Sequence, residues 1–118
     1  MSGPDGDTAY KVLTADEMAA LERDGSFAGA PVDIADGYIH LSTASQLTET
    51  VDRHFAGQGS LHVAAVDLGS FGDSLRWEPS RGGQPFPHLY APLPLETVIA
   101  YGPLERDADG QVRLPVAG

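Results

Sequence analysis

Leu61-His62-Val63-Ala64-Ala65-Val66-Asp67-Leu68 is the stretch that decides the fold. It is rich in valine and alanine, and the turn-forming segment Gly69 to Asp73 follows it. Short apolar runs that contain β-branched residues and end at turn signals are typical of buried strands. The stretch therefore predicts a central strand of a sheet.

Two helices are predicted before this strand. Thr14 and Glu17 have the spacing of a capping box, and Gly25 lies where that helix would end. Thr43 and Gln46 repeat the spacing, and an apolar stripe runs from there to Gly57. The segment Phe27 to Asp36 shows no sustained period and is predicted to be a loop. Further strands are predicted at Ala9 to Leu13, Tyr38 to Leu41, Leu75 to Glu78, Phe86 to Tyr90, Thr97 to Leu104 and Val112 to Leu114.

The order of these elements indicates the fold class. Both helices lie in the N-terminal half and most strands lie later, without an alternating strand–helix rhythm. We therefore predict an α+β fold with a mixed, mainly antiparallel sheet covered by two helices. The length of 118 residues fits one domain, which we place at residues 9–118 after a disordered leader at residues 1–8.

Composition excludes several functions. The chain has no cysteine, no long apolar run, and a net charge of −10 with scattered arginines. We expect a cytoplasmic protein that neither enters a membrane nor binds nucleic acid in bulk. A small ligand that carries phosphate is compatible with this charge, since one well-placed arginine can bind it.

Three short segments could carry chemistry. In Gly37-Tyr38-Ile39-His40-Leu41-Ser42, strand alternation places Tyr38, His40 and Ser42 on one face. In Leu75-Arg76-Trp77-Glu78 the same alternation pairs Arg76 with Glu78. The third segment, Phe86-Pro87-His88-Leu89-Tyr90, combines a histidine with two aromatic residues, and its proline argues against a central strand.

Each segment also has a structural interpretation. His40 could bond only to backbone carbonyl groups in a half-buried strand. Arg76 and Glu78 could form an exposed ion pair worth at most about 1 kcal/mol. The segment Phe86 to Tyr90 could be a rigid structural segment in which His88 faces water. Four other polar residues are interpreted as solvated turn residues or as structural histidines: Asp33, Asp36, His54 and His62.

These segments, together with Tyr10-Lys11-Val12-Leu13 and Gln46, carry a resemblance to a known family. From about Tyr10 to Leu104 the chain resembles the domain-of-unknown-function family 952. Ala91 departs from the family pattern, which usually has glycine there. The family is uncharacterised, so this resemblance implies a fold and a site but no substrate.

The family also looks distantly similar to the ADP-ribosyltransferase fold, including the RNA 2′-phosphotransferase branch. That similarity implies NAD as the cofactor, with His40 and Ser42 at the nicotinamide-side ribose and Glu78 stabilising positive charge on the sugar. The similarity also implies that His88 takes the place of the glutamate that such transferases carry on a later strand. The implied catalytic residues are His40, Glu78 and His88; the implied cofactor-binding residues are Tyr38, Ser42, Arg76 and Tyr90.

Three functions remain open from the sequence. The first is an enzyme that acts on NAD or a related ribose-phosphate compound, such as a transferase or glycohydrolase. The second is a non-catalytic module that binds a small ligand or a peptide. The third is a metal site formed by His40, His88 and Glu78, which ranks last because no local metal-binding motif is present. We expect no metal.

Overall fold

The computed structural model describes residues 8–79 and 83–115. The predicted leader, apart from Thr8, lies outside the described residues, and so do residues 80–82 of the loop before the third segment. The strands are β1 (Thr8–Thr14), β2 (Ser26–Phe27), β3 (Ile39–His40), β4 (Leu61–Asp67), β5 (Leu75–Pro79), β6 (Pro85–Leu89), β7 (Leu93–Pro94) and β8 (Val98–Pro103). The helices are α1 (Ala15–Asp24), α2 (Pro31–Asp36) and α3 (Leu47–His54).

Strand β4 is central, as its sequence predicts. It pairs antiparallel with β1 on one side and β8 on the other. Both faces of this sheet are covered, because alternate residues of β1 enter two core clusters: Ala9 and Leu13 pack in one, and Tyr10 and Val12 in the other. The α+β class and the mainly antiparallel pairing are thus confirmed.

A second sheet, of order β3-β6-β5, carries the three segments singled out in the sequence. It joins the first sheet through Ser42, just beyond β3. The backbone N–H of Tyr10 donates to the Ser42 carbonyl at 2.8 Å, and the N–H of Ser42 donates back to the Tyr10 carbonyl at 2.9 Å. This junction brings β1 alongside β3. In the described residues the sheet is therefore not one but three, the third being the pair β2-β7.

Helix α1 forms where its capping signals predict. The Thr14 hydroxyl accepts from the Glu17 backbone N–H, and the Glu17 carboxylate accepts from the Thr14 N–H. Gly25 ends the helix in the left-handed conformation, with φ of 76°. Met18 and Leu21 form its buried stripe.

The prediction of a loop from Phe27 to Asp36 is wrong. This segment contains part of β2 and the short helix α2, so the described residues hold three α-helices rather than two. Pro31 occupies the first helical position, where its missing N–H costs nothing. The Asp33 carboxylate accepts from the Ala30 backbone N–H at 2.8 Å, which fixes the start of the helix.

The third helix is shorter than predicted. It runs from Leu47 to His54, although the predicted contact is present in part: the Gln46 side chain accepts from the Thr43 N–H at 3.0 Å. The Gln46 amide also donates to the Pro85 carbonyl at 2.8 Å. Gln46 is the residue that precedes the helix, and its bond to Pro85 connects this end of the helix to β6.

The interpretation of Pro87 as evidence against a central strand is also wrong, because β6 lies between β3 and β5. The Leu41 N–H donates to the Pro87 carbonyl at 3.1 Å. Since the N–H and C=O of a strand residue point to the same side, the donor that Pro87 lacks would face Leu41, just past the last residue of β3. The proline removes a bond only where the ladder already ends.

The remaining predictions at the C-terminal end are met in part. Strand β8 covers most of the predicted strand from Thr97 to Leu104. Asp109-Gly110 forms the predicted turn, since the Gly110 N–H donates to the Asp107 carbonyl. The strand predicted at Val112 is reduced to one bridge with Arg106. In the described part of the chain, no helix is long and apolar enough to cross a membrane.

Gly37, which separates α2 from β3, gives a test of this arrangement. Its φ is +89°, and an added Cβ would meet nothing within 4 Å, so Gly37→Ala introduces backbone strain alone. We expect a loss of about 1–2 kcal/mol in the free energy of unfolding, measured by urea denaturation. Gly59→Ala is the matched control, because Gly59 has open space and no left-handed φ. Equal stability of the two variants would contradict the assigned conformation.

Candidate functional site

A cavity of about 500 Å³ lies at the junction of the two larger sheets. Its floor is formed by side chains of β1, β3 and β6, and helices α2 and α3 contribute the walls. Its polar side chains are Lys11, Thr14, Glu17, Asp33, Asp36, His40, Ser42, Thr50, His54 and His88. Its apolar side chains include Val32, Phe55 and Phe86.

His40 and His88 face each other across β3 and β6. They are register partners, and their ring centroids are 5.7 Å apart. The neighbouring partners Leu41 and Pro87 are joined by a backbone hydrogen bond, so the histidines form the non-hydrogen-bonded type of pair, in which side chains approach more closely. Both rings reach the cavity.

Carboxylates hold both nitrogens of the His40 ring. Nδ1 lies 2.6 Å from Asp33 Oδ1, and Nε2 lies 2.9 Å from Asp36 Oδ2. A carboxylate ion only accepts hydrogen bonds, so the ring can satisfy both contacts only when both nitrogens carry protons. Both ring nitrogens of His40 thus face carboxylate oxygens.

Asp33 is the buried centre of this arrangement, with 1% of its surface exposed. Besides the His40 ring and the Ala30 N–H, it accepts from the His40 backbone N–H at 3.1 Å and from Lys11 Nζ at 2.8 Å. Burial alone raises the pKa of Asp33. The hydrogen bonds from His40 and Lys11 and the charge of Lys11 outweigh burial, and the pKa lies well below its ordinary value.

His88 is held from the other side. Its residue is 3% exposed, so the interpretation in which it faces water is wrong. Nδ1 lies 2.8 Å from Glu78 Oε1, which also accepts from the Tyr90 hydroxyl at 2.8 Å. The hydrogen bond from His88, followed by that from Tyr90, lowers the pKa of Glu78. The Nδ1 atom of His88 is thus engaged by Glu78.

Aromatic rings pack against the two histidines. The Tyr38 ring stacks on His88 with centroids 4.1 Å apart, and it lies 5.2 Å from the Tyr90 ring. The Arg76 guanidinium lies 5.0 Å from the centre of the Tyr90 ring, a cation–π distance. No ion pair joins Arg76 to Glu78, both of which the structure describes, so the predicted surface pair is not formed.

Ser42 lies at the opposite end of the histidine row. It is buried, and its hydroxyl is 2.8 Å from that of Thr50 on α3. Both hydroxyls line the cavity.

The structure thus brings all three predicted segments together in space. His40, Ser42 and His88 line the cavity. The other four predicted residues do not line it: Tyr38 and Glu78 contact the His88 ring, Tyr90 bonds Glu78, and Arg76 lies over the Tyr90 ring. Glu78 contacts His88 rather than the cavity, so any influence on a ligand passes through that ring.

Sequence reasoning missed several residues of this site, among them Lys11, Asp33, Asp36 and His54. Lys11 is the chain's one lysine and lies in the middle of an otherwise apolar strand, which is the signal that could have marked it. Asp36 precedes His40 by four residues, a spacing that brings them together across the tight turn at Gly37. Nothing in the local sequence marks Asp33 or His54.

The proposed metal site finds no matching geometry. Over residues 8–79 and 83–115, no three histidine, aspartate or glutamate side chains are grouped so that they could hold an ion. His88 and Glu78 bond each other, and His40 bonds the two aspartates.

The fold and site define a class of protein: a small α+β domain with a cavity between two helices and a pair of histidines at its wall. The chain belongs to the family described as Protein of unknown function (DUF952), whose model matches residues 12–101. No curated protein matches the chain.

Solved structures of protein CC0527 from Caulobacter crescentus are similar to this chain. The crystal structure shares 45% identity, covers 91% of this chain and 94% of that chain, and has a TM-score of 0.82. The solution NMR structure shares 46% identity, covers 89% and 90%, and has a TM-score of 0.76. These comparisons do not show the similarity to ADP-ribosyltransferases, which stays a prediction.

Removal of Lys11 tests the buried ion pair. In Lys11→Met the Asp33 carboxylate loses its cation while it remains buried, and we expect a loss of about 3–5 kcal/mol in the free energy of unfolding. Arg53→Met is the control, because it removes an exposed cation paired with Glu49 and should cost under about 0.5 kcal/mol. Similar losses in both variants would contradict the assigned role of Lys11.

Acid unfolding tests the lowered pKa of Asp33. Because the pKa of this carboxyl is lower in the folded than in the unfolded chain, its contribution to stability is complete above its ordinary value of about 4 and declines as the pH falls below that. We expect the wild-type free energy of unfolding to fall more steeply than that of Asp33→Asn between about pH 4.5 and pH 3. Urea denaturation at each pH measures both slopes, and parallel slopes would refute the shift.

Proposed function

We propose that the cavity binds a ribose-phosphate compound, with NAD and ADP-ribose as the first ligands to test. The observation that carries this proposal is the His40–His88 pair at the wall of a cavity of about 500 Å³. Asp33 holds the His40 ring through Nδ1, and Glu78 holds the His88 ring through Nδ1. Cavities of roughly 300–1,000 Å³ with a few convergent polar groups are typical of small-molecule sites. Rings held in this way need little reorganisation when a ligand arrives.

The chemistry of the wall suits a nucleoside better than a purely polar ligand. The hydroxyls of Ser42 and Thr50 can both donate and accept, as the hydroxyls of a sugar require. Val32, Phe55 and Phe86 add apolar surface against which a base can pack. The cavity therefore supports recognition of both parts of a ribonucleoside.

Turnover of NAD would require the bond between ribose C1′ and the nicotinamide nitrogen to break. Water would add to the sugar, and ADP-ribose, nicotinamide and a proton would be released. In this reaction His88 Nε2 would accept the proton of the attacking water, and Glu78 would orient the ring through Nδ1. Glu78 then acts as a positioning residue.

A second function, ligand binding without reaction, is favoured by one observation. Glu78, the carboxylate that the resemblance assigns to the oxocarbenium-like state, is not at the cavity wall and is already bonded to His88 and Tyr90. A site that holds ribose but presents no carboxylate to C1′ would bind NAD and leave it intact.

Calorimetry with NAD and ADP-ribose tests the proposal. We expect binding in the micromolar to millimolar range, and a loss of at least about tenfold in His40→Gln and His88→Gln, since each removes a cavity contact. His62→Gln is the matched control, because His62 lies outside the cavity. Circular dichroism checks that each variant is folded.

The outcomes separate the two functions. Release of nicotinamide that depends on His88 supports catalysis, and binding without release supports the module. Absence of heat with either compound at millimolar concentration would reject the proposed ligand class.

A further inference from the structure

The Asp36 carboxylate contacts Nε2 of His40 at the cavity wall. Asp36 Oδ2 lies 2.9 Å from Nε2, and both side chains line the cavity. Unlike Asp33, which is buried, Asp36 has 45% of its side chain exposed. A ligand that reaches His40 from the cavity therefore meets Asp36 at the same point.

Stability of the helix does not explain an aspartate at this position. Asp36 is the last residue of α2, and the last turn contains no basic residue. Carboxylates are unfavourable at the C-terminal end of a helix, where unpaired carbonyl groups concentrate negative charge. The contact with His40 is the interaction that this side chain gains in exchange.

The charges of the side chains around His40 also oppose the binding of an anion there. Among the residues that the structure describes, one lysine and three carboxylates line the cavity, and the lysine is bound to Asp33. The remaining two carboxylates are Asp36 and Glu17, and Glu17 caps the start of α1. His54 and His88 are the other titratable groups that face this space. Within residues 8–79 and 83–115, no free lysine or arginine at the wall would accompany an anionic group at His40, and that group would lie beside Asp36.

Hydrogen-bond chemistry distinguishes the groups that could bind there. A fully ionised phosphate ester or a carboxylate only accepts, so it must displace Asp36 from Nε2 and then lie against a like charge. A hydroxyl group can accept from Nε2–H and donate to the Asp36 carboxylate at the same time. The contact between His40 and Asp36 can thus open to admit a hydroxyl without leaving either partner unpaired.

We propose that Asp36 determines specificity at this site: with His40 it selects a sugar hydroxyl and excludes phosphate from the histidine. This inference rests on the proposed function and refines it. The ribose of the ligand contacts His40, and its phosphate groups lie away from that ring. Asp36 is a group that contacts the ligand, whereas Asp33 positions His40 from the core.

Asp36→Asn tests the inference with two probes at about pH 8: methyl phosphate, a phosphate ester that is fully ionised there, and adenosine, an uncharged riboside without phosphate. The variant removes the like charge and retains a polar side chain of the same size. We expect affinity for methyl phosphate to rise at least about tenfold, because like charges in contact oppose binding. We also expect affinity for the riboside to fall several-fold.

Asp24→Asn is the matched control, because Asp24 is also an exposed aspartate in the last turn of a helix. It removes the same charge from the chain and should leave both affinities unchanged. NMR of the histidine rings gives a second readout: methyl phosphate should shift the His40 resonances in Asp36→Asn and leave them unchanged in the wild type.

The results distinguish the two proposals. Failure of the wild type to bind the riboside, NAD and ADP-ribose rejects the ribose-phosphate function, whereas the phosphate measurement still reports on Asp36. If Asp36→Asn binds methyl phosphate no better than the wild type, or if Asp24→Asn gains as much, the specificity role of Asp36 is rejected.

Discussion

The buried carboxylate of Asp33 is the interaction on which the rest of the site depends. It receives hydrogen bonds from β1 through Lys11, from the start of α2 through Ala30, and from β3 through both the backbone and the ring of His40. An isolated buried charge would be very costly, so these donors must stay in place together. One side chain therefore fixes a wall of the cavity, its floor and one of its histidines.

Much of the fold could be predicted because its signals are local. The capping box at Thr14 and the left-handed Gly25 define α1 within a few residues, and the apolar run of β4 requires a buried position. Helix α2 could not be predicted, because its first residue is preceded by Ala30, which has no capping side chain, and its start depends on Asp33. Pro87 argued against the central position that β6 takes. The N–H that Pro87 lacks would cost a ladder hydrogen bond only if β3 extended beyond His40 to pair with it.

The candidate site shows the same division. Strand alternation places the members of each polar row on one face, and the structure brings His40 and His88 together as cross-strand partners. Neither the segment that contains His40 nor the one that contains His88 indicates which strand it pairs with. Alternation alone therefore could not predict that the two histidines come together. Lys11 and Asp33 are 22 residues apart and look ordinary by themselves, as a polar residue in a strand and an acidic residue near a turn. Only the folded structure shows that Lys11 and Asp33 form a buried ion pair.

The burial of Lys11 also has a consequence for the chemical reactivity of the chain. It is the only lysine in the sequence, and its ammonium group is 2.8 Å from Asp33 in the interior. Lys11 lines the cavity and only 6% of its side chain is exposed, so a reagent that acylates ε-amino groups has to enter the cavity to reach it. The rate of acylation at Lys11 therefore reports how readily a small molecule enters the cavity.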